Sequence, residues 1–327
     1  MTKLVAIMLG DRYGVGPELV ARLLPTLRSG ELRYVVVGDS RVFAHGRRIT
    51  GEVSAFPTVA SIDSARDDGS TWIFLDRPFD AEVSPLGRVS KEAGREVLGN
   101  LAFLLDASRD GHIDGIVYAP LNKQAMRLAG HAAGDELDFV VRHLGLERGY
   151  GEVNILGDLW TSRVTSHVPL RAVGDLITTE SVVAAIKLIA SALGRAGKRA
   201  PRIAVAALNP HAGEGGAFGC EEIDVIAPAI EQAKALGCDA AGPFPSDTVF
   251  LRALNGGFDA VVTMFHDQGQ IALKLLGLGK GITLLAGLPL PIATPGHGTA
   301  YDIAGTGKAR VDGLAAATDL VTRMVLS

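Results

Sequence analysis

The fold of this chain is indicated by its first apolar segment, which reads LVAIMLGDRYGVGP at residues 4–17. Six consecutive apolar residues are typical of a buried β-strand, and the glycines that follow predict a tight turn before Pro17 opens a helix. The same order of strand, turn and helix recurs along the sequence. It predicts an α/β protein with a largely parallel sheet that helices cover on both faces.

The remaining elements are predicted from the same periodicities. Ser90 is a good N-cap for a helix that runs to about Asp110. The composition changes most clearly at residues 129–134, the best candidate for a domain break. Further strands are expected at residues 34–37, 72–75, 113–118, 163–165, 203–208 and 260–265, and further helices at 17–27, 179–196, 221–236 and 312–326.

Composition and charge indicate a soluble enzyme. The chain has 327 residues, 47% of them hydrophobic, and a formal charge of −4 with no run of basic residues. This pattern argues against a nucleic-acid or anionic-membrane surface. The sequence has only two cysteines, no recognisable signal peptide and no apolar stretch that could span a bilayer. We therefore expect a cytoplasmic protein without disulfides.

Three histidines follow three of the predicted strands, namely His167 in SHVP, His211 in NPHAG and His266 in FHDQG. Loops that follow strands commonly carry functional side chains. Three neutral imidazoles from three strand ends can form a transition-metal site that keeps open positions for a substrate. The alternative is that each histidine is structural, because their distant spacing matches no short metal-binding signature.

The glycine-rich turn at residues 10–16 must be compared with a dinucleotide-binding fingerprint, since it lies between a strand and a helix. It has the G-x-G spacing only at Gly14 and Gly16, and no third glycine follows at the required offset. The standard Rossmann assignment therefore fails. A tight turn whose glycines allow close packing is the alternative to a nucleotide contact here.

Six segments between residues 10 and 305 form a larger pattern. They read GDxxGxGPE at residues 10–18, PLNK at 120–123, NPHAGEGG at 209–216, GPFPSDT at 242–248, HDQG at 266–269 and HGTAYDIAG at 297–305. Together and in this order they resemble the family of 4-hydroxythreonine-4-phosphate dehydrogenase, PdxA. No single segment is specific, but the set of six is.

The resemblance implies a fold related to isocitrate and isopropylmalate dehydrogenases, with two α/β domains and the active site in the cleft between them. The C-terminal tail then returns to the first domain, which gives residues 1–128 with 306–327 as the first domain. Residues 129–305 form the second domain, with the metal and cofactor loops. The resemblance also implies a homodimer with a shared active site that acts on a small-molecule substrate.

Two cofactors are implied in the same way. In the family three histidines bind a divalent metal (Zn, Mg, Mn or Co), and this role is carried over to His167, His211 and His266. The loop at residues 297–305 resembles the adenosine-binding loop of the related dehydrogenases, so NAD or NADP is expected there. The alternative is a simple glycine-bounded turn. The cofactor-binding residues implied by the resemblance are His297, Gly298, Ala300, Asp302 and Gly305.

The implied chemistry is oxidation of a substrate hydroxyl by hydride transfer to a nicotinamide ring, with decarboxylation where the product is a β-keto acid. A proton acceptor is needed, and Asp247, Asp267 and Lys123 are candidates. Asp267 follows His266 directly, so orienting that histidine is an equally good role for it. Asp247 is an equally good candidate for the cap of the helix that follows it.

The chain departs from the family at residues that contact substrate. Where the family has His-Thr after the PLNK segment, this chain has Asp135 and Glu136. Where the family has Asn and Arg after HDQG, it has Thr283 and Ile292, while Lys274 is kept. These five residues are the expected substrate-binding set. Loss of an arginine and gain of two carboxylates disfavour a phosphate of charge about −1.5 to −2.

The leading hypothesis is therefore a metal- and NAD-dependent dehydrogenase of this family that oxidises a hydroxy acid or diol without a phosphate. The first alternative is an authentic 4-hydroxythreonine-4-phosphate dehydrogenase in pyridoxal 5'-phosphate biosynthesis. The second is a phosphate acyltransferase, which shares the broader fold but has no use for three metal-binding histidines or an adenosine loop. A non-catalytic metal-binding relative is the least favoured.

Overall fold

The structure, a computed structural model, describes residues 2–28, 30, 32–53, 55–66, 69–131, 134–277 and 279–327. Ala132 and Ala133 of the predicted domain break thus lie outside the described residues. The chain divides into two compact units. The first contains residues 1–148 and 288–326, and the second contains residues 149–287 and Ser327.

The helices and strands alternate along most of the chain, as predicted. The strands are β1 (Lys3–Met8), β2 (Leu32–Gly38), β3 (Thr58–Val59), β4 (Trp72–Asp76), β5 (Gly115–Tyr118), β6 (Gly151–Leu156), β7 (Leu159–Arg163), β8 (Arg202–Ala206), β9 (Asp239–Phe244), β10 (Ala260–Thr263), β11 (Ile282–Ala286) and β12 (Ile292–Pro295). The helices are α1 (Gly16–Leu23), α2 (Ser40–Ile49), α3 (Lys91–Arg109), α4 (Lys123–Leu128), α5 (Glu136–Leu144), α6 (Val173–Leu176), α7 (Thr179–Arg195), α8 (Ala227–Ala235), α9 (Val249–Leu254), α10 (His266–Gly277) and α11 (Asp312–Leu326).

In the first unit the strands follow the order β3-β4-β2-β1-β5-β12, and each of these pairings is parallel. The central strands are buried, with Val5, Ile7 and Val36 fully inaccessible. Burial on both faces explains why these strands read as continuous apolar runs and not as alternating patterns. Because β1, β5 and β12 are neighbours, the loops that follow them leave from the same edge of the sheet.

In the second unit the strand order is β11-β6-β7-β10-β8-β9. The β6 strand is antiparallel to both β7 and β11, whereas β7, β10, β8 and β9 are mutually parallel. The largely parallel sheet predicted from the sequence is thus a mixed sheet in this unit. The carboxyl ends of its four parallel strands meet at one edge, where the histidine loops begin.

The predicted helices at residues 90–110 and 312–326 are confirmed as α3 and α11, and the Ser90 hydroxyl accepts hydrogen bonds from the backbone N–H groups of Glu92 and Ala93. The helix predicted for residues 17–27 is wrong at its end, because α1 gives way to a 3₁₀ turn at Leu24–Thr26 that contains Pro25. The helix predicted for residues 221–236 begins with a single π turn at Glu222–Ile226 before α8. The strand predicted at residues 163–165 instead ends at Arg163.

The two units divide the chain at other positions than the predicted domains. The α5 helix packs on α3 and therefore belongs with the first unit. The β12 strand pairs with β5, which brings the chain back to the first unit at residue 288 and not at 306. Neither contact is visible in the composition of the sequence, because both join segments that are far apart along the chain.

Among the described residues, no single helix has the length and apolar composition to span a bilayer, although residues 170–176 and 179–195, bent by 93°, reach that composition as a pair.

Candidate active site

The edge of the second unit carries His167 and His266, which follow the neighbouring parallel strands β7 and β10. Their ring centroids are 5.5 Å apart, with the ring planes tilted by 43°. The two loops are joined directly, because the N–H of Thr165 donates to the carbonyl oxygen of Met264 at 3.0 Å. Two imidazoles at this separation can bind the same ion.

The HDQG segment fixes both the His266 ring and the loops around it. Nδ1 of His266 lies 2.8 Å from Oδ1 of Asp267, so an ionised Asp267 accepts from Nδ1–H and leaves Nε2 as the ligand atom. The Gln268 side chain accepts from the N–H of Met264 at 2.8 Å and donates to the carbonyl of Ala207 at 2.9 Å. It therefore ties the carboxyl ends of β10 and β8 together.

His211 follows β8 but lies in a different local structure. Residues 211–215 all have positive φ values between 42° and 76°, a left-handed turn that carries His211 beside Phe218 at a centroid distance of 6.2 Å. In the part of the chain that the structure describes, no group of three His, Cys, Asp or Glu side chains is arranged to hold a metal ion. The structure thus pairs His167 with His266 and does not bring His211 to them.

The His211 turn rests on buried Glu222. Its Oε1 accepts from the backbone N–H groups of Leu208 and Asn209 at 2.9 and 2.7 Å, and its Oε2 accepts from Nδ2 of Asn209 at 3.0 Å. Asn209 Nδ2 also donates to Glu221 at 2.7 Å. These contacts fix the entry of the chain into the left-handed turn.

Backbone strain is concentrated in the loops that the sequence singled out. Among the described residues, six that are not glycine have positive φ, and five of them lie in these loops. A left-handed residue with a Cβ costs about 1–2 kcal/mol, so such residues are kept only where the surrounding structure enforces them. This distribution marks the three loops as functional candidates. The five residues are His167, His211, Ala212, Glu214 and Ala300.

Asp247 lies exposed at the same edge of the second unit, just after β9. The sequence left open whether it caps the following helix. The N-cap position of α9 is Thr248, and no side chain makes a capping hydrogen bond there. Asp247 is therefore not the cap of α9.

In the first unit the predicted cofactor loop at residues 297–305 is tied to the glycine-rich N-terminal turn. The N–H of Val15 donates to the carbonyl of Thr299 at 3.0 Å, and the Tyr301 hydroxyl donates to Asp11 at 2.8 Å. Burial, together with the Asp11 carboxylate, raises the pKa of Tyr301 above its ordinary range. The two segments that the sequence treated as rival nucleotide sites are thus one connected structure.

Within the cofactor loop, the glycines differ in why they are needed. Gly305 has φ +82°, and a Cβ there would meet Leu86 at 2.7 Å. A Cβ at Gly298 would meet open space, so no neighbouring atom among the described residues requires glycine there. Asp302 is exposed, Ala300 has φ 45°, and the His297 ring contacts the carbonyl of Gly298. The open space at Gly298 fits the close approach of a ligand to the backbone.

The N-terminal turn has a packing role. A Cβ at Gly10 would lie 2.6 Å from the carbonyl oxygen of Ala119, and one at Gly16 would collide with the carbonyl of Leu9. Arg12 is fully buried and bonds Glu96 at 2.9 Å and Asp39 at 3.4 Å. These contacts support the alternative that the glycines of this turn serve close packing.

The predicted substrate residues fall into two places. Nζ of Lys123 lies 3.7 Å from Asp135 and 3.7 Å from Glu136, so these three charges form one group in the first unit. Asp135 also caps α5 in a reciprocal capping box with Asp138. Ile292 is fully buried in β12 and packs in the core, so its side chain does not face a substrate.

The other two predicted substrate residues belong to the second unit. Lys274 is exposed in the last turn of α10. The Thr283 hydroxyl accepts from Nδ2 of Asn154 at 3.0 Å, and the side-chain Oδ1 of Asn154 accepts from Arg163 at 2.8 Å. Sequence reasoning did not single out Asn154, Arg163, Gln268 or Glu222. Gln268 lies inside a quoted motif, but only its contacts show that it joins two loops.

A family model described as pyridoxal phosphate biosynthetic protein PdxA matches residues 31–321. A Rhizobium meliloti protein provisionally named 4-hydroxythreonine-4-phosphate dehydrogenase 2 is 44% identical over 98% of this chain and 92% of its own. A Salmonella typhimurium protein named D-threonate 4-phosphate dehydrogenase is 38% identical over 99% of both chains.

Solved structures agree with this match. The crystal structure of 4-hydroxythreonine-4-phosphate dehydrogenase from Klebsiella pneumoniae superposes with a TM-score of 0.83 and 34% identity, covering 100% of this chain and 99% of that one. A β-decarboxylating dehydrogenase from Thermococcus kodakarensis has a TM-score of 0.53 at 15% identity, covering 98% of this chain and 83% of that one, which concerns the fold alone. The prediction of an oxidoreductase acting on a CH–OH group is confirmed, because the relatives are named dehydrogenases. The chain belongs to the PdxA family.

Proposed function

We propose that this protein is a divalent-metal- and NAD-dependent dehydrogenase that oxidises a secondary hydroxyl of a small hydroxy acid or diol. The observation that carries the proposal is the pairing of His167 and His266, with Asp267 orienting the His266 ring. His211 is proposed as the third ligand. When bound, the metal ion supplies Lewis acidity for the substrate hydroxyl.

The chain's own residues supply the rest of the reaction. A nicotinamide cofactor held by the loop of residues 297–305 would supply the hydride acceptor for the substrate carbon, and a carboxylate oxygen of Asp247 would accept the hydroxyl proton. Asp247 is preferred over Asp267, which is engaged with His266, and over Lys123, which lies between two carboxylates. Where the product is a β-keto acid, loss of carbon dioxide follows.

The NAD site is proposed at the loop of residues 297–305, with Asp302 as the hydrogen-bond acceptor. A hundredfold excess of NAD over its Kd should stabilise the wild-type protein by about 2.7 kcal/mol. We expect Asp302→Ala to weaken NAD binding ten- to a hundredfold, because a charge-assisted hydrogen bond contributes about 1.5–3 kcal/mol. The shift in melting temperature with NAD measures this loss.

The matched control is Asp319→Ala, which removes the same charge from an exposed position on α11. It should leave the NAD-induced shift unchanged. Gly14 is not a suitable control, since a Cβ there would lie 2.9 Å from the side chain of Thr299 and would disturb the loop. An equal NAD-induced shift in the melting temperatures of wild type and Asp302→Ala would show that Asp302 does not bind NAD.

We further propose that the substrate lacks a phosphate. Lys123 is one cation beside two carboxylates, so this group has a net charge of about −1 and repels a phosphate of about −1.5 to −2. The buried Ile292 adds no charge where the resemblance implies an arginine. Carboxylate or hydroxyl binding is left to Lys274 and Thr283.

A substrate panel tests this proposal. We expect unphosphorylated hydroxy acids or cis-diols to be oxidised with a kcat/KM at least ten- to a hundredfold above that of 4-hydroxythreonine 4-phosphate, the cost of about one lost charge-assisted hydrogen bond. Formation of reduced nicotinamide is followed by its absorbance, with the 4-phosphate of D-threonate in the same panel. Turnover of the phosphorylated compounds alone would reject the proposal.

The second candidate function is that same phosphorylated chemistry. The names of the Rhizobium meliloti and Salmonella typhimurium relatives both specify a 4-phosphate substrate. The panel above separates the two functions.

We also propose a homodimer. The second unit exposes large apolar side chains, with Leu275 at 83%, Leu170 at 71% and Ile271 at 59% relative accessibility. Apolar surface of this kind commonly marks an interaction site. The mass of the protein in solution tests this assembly.

A further inference from the structure

We infer that Glu222 is a positioning residue, which fixes the backbone that leads into the turn of His211, the proposed third metal ligand. The inference rests on the proposed metal site. Glu222 itself touches neither the metal ligands' rings nor a reacting atom; it acts on His211 through the backbone that precedes it.

Glu222 binds one short segment, Leu208 and Asn209, through its carboxylate; these contacts are called the Glu222 clamp. Its side chain is buried, with the residue only 3% exposed. Both carboxylate oxygens are already used by N–H donors, two from the backbone of Leu208 and Asn209 and one from the Asn209 side chain. A buried carboxylate with three donors is a strong and directional anchor, and it is not available as a metal ligand.

The segment held in this way leads directly into the left-handed turn. Asn209 and Pro210 precede His211, and His211, Ala212 and Glu214 adopt left-handed values that side chains with a Cβ rarely adopt. A turn of this kind persists only where neighbouring contacts enforce it. Glu222 begins a π turn, a local structure that is often found at functional sites.

Gly213 provides an independent observation of the same clamp. A Cβ at Gly213 would lie 2.7 Å from Oε2 of Glu222 and 3.0 Å from the carbonyl oxygen of Gly219. The turn can therefore rest on the carboxylate only because residue 213 has no side chain. Gly215, with a similar φ of +66°, would meet nothing within 4 Å. The two glycines thus have similar left-handed backbone conformations, but only a side chain at position 213 would contact Glu222.

This difference gives two matched pairs of variants. Glu222→Gln places an NH₂ group where an N–H must be accepted, whereas Glu221→Gln changes a neighbour whose carboxylate accepts from the Asn209 side chain. Gly213→Ala presses on the carboxylate, whereas Gly215→Ala introduces the same left-handed alanine without that contact. The first pair distinguishes loss of the Glu222 contacts from a general loss of negative charge. The second pair distinguishes it from added backbone strain.

The experiment is a titration of the chelator-treated full chain with cobalt(II), followed by the absorption bands of the bound ion. We expect Glu222→Gln and Gly213→Ala to bind cobalt ten- to a hundredfold more weakly than wild type, the usual effect of removing a residue that orients a metal ligand. Glu221→Gln and Gly215→Ala should bind like wild type. Combination of Glu222→Gln with His211→Ala should add little further loss, because both act on the same ligand.

The outcomes separate this inference from the proposed function. Wild-type protein that binds no cobalt overturns both. Wild-type binding that His211→Ala weakens, but that Glu222→Gln and Gly213→Ala leave unchanged, overturns the positioning role alone. If Glu222→Gln does not fold, the cobalt affinities of Gly213→Ala and Gly215→Ala are compared instead. Equal cobalt affinities of these two variants contradict the inference.

Discussion

The His266→Ala variant is expected to lose divalent metal and to lower turnover by roughly a thousandfold or more. Removal of a Lewis acid from the substrate hydroxyl costs several kcal/mol, and about 4 kcal/mol corresponds to three powers of ten in rate. His167→Ala should behave in the same way, since its ring is the one that lies 5.5 Å from His266. Elemental analysis of the purified protein and initial rates measure the two effects.

His112→Ala is the control for this experiment. It makes the same chemical change in the first unit, where His112 pairs with Asp63 at 3.0 Å. Its metal content and rate should equal those of wild type. Normal turnover by a protein that lacks both His167 and His266 would dismiss the metal-dependent mechanism.

The free energy of unfolding of the Arg12→Met variant is expected to be about 3–5 kcal/mol lower than that of wild type. Arg12 is fully buried between Asp39 and Glu96, and removal of one partner from a buried ion pair leaves uncompensated charge behind. Arg41→Met is the matched control, since Arg41 also pairs with Asp39 but is 53% exposed. It should cost about 0–1 kcal/mol. Urea denaturation of both variants makes the comparison, and equal costs would contradict it.

The cost of Arg12→Met should also depend on pH. Burial, opposed by Arg12, raises the pKa of Glu96 from 4.5 to about 7. A carboxyl with a raised folded-state pKa stabilises the fold when protonated, so its contribution is complete below pH 4.5 and is lost as the pH rises through about 7. Without Arg12 no cation opposes the burial of the Glu96 carboxylate, so the folded-state pKa of Glu96 rises further. The free energy of unfolding of the variant should therefore fall more than that of wild type between pH 6 and pH 8. A cost that is constant over this range would show that Glu96 does not take part.

Local patterns predicted much of the fold because they depend on neighbours along the chain. The apolar run at residues 4–9 and the proline at position 17 predicted β1 and α1, and Ser90 was correctly identified as a helix cap. The positions of His167, His211 and His266 after strands also follow from local patterns. What the patterns missed are effects of other segments, such as the antiparallel β6, whose partners include β11 more than a hundred residues away.

The candidate site shows the same limit. Asp135 was expected to bind substrate, and only the structure shows that it also caps α5 and lies beside Lys123. Ile292 looked like a substitution at a substrate contact, yet its side chain is enclosed in the core. Sequence spacing cannot distinguish these cases, because burial depends on which strands are neighbours.

The order of motifs along the chain was enough to identify the PdxA family and to name candidate site residues, since residue types and their local spacing are properties of the sequence. Which of those residues meet was decided by the tertiary structure. His167 and His266 lie together because β7 and β10 are adjacent parallel strands, whereas His211, after the next strand, lies in a left-handed turn whose entry is held by Glu222. Strand order and the buried carboxylate act across distant parts of the chain, and a sequence pattern reports only on its own neighbourhood.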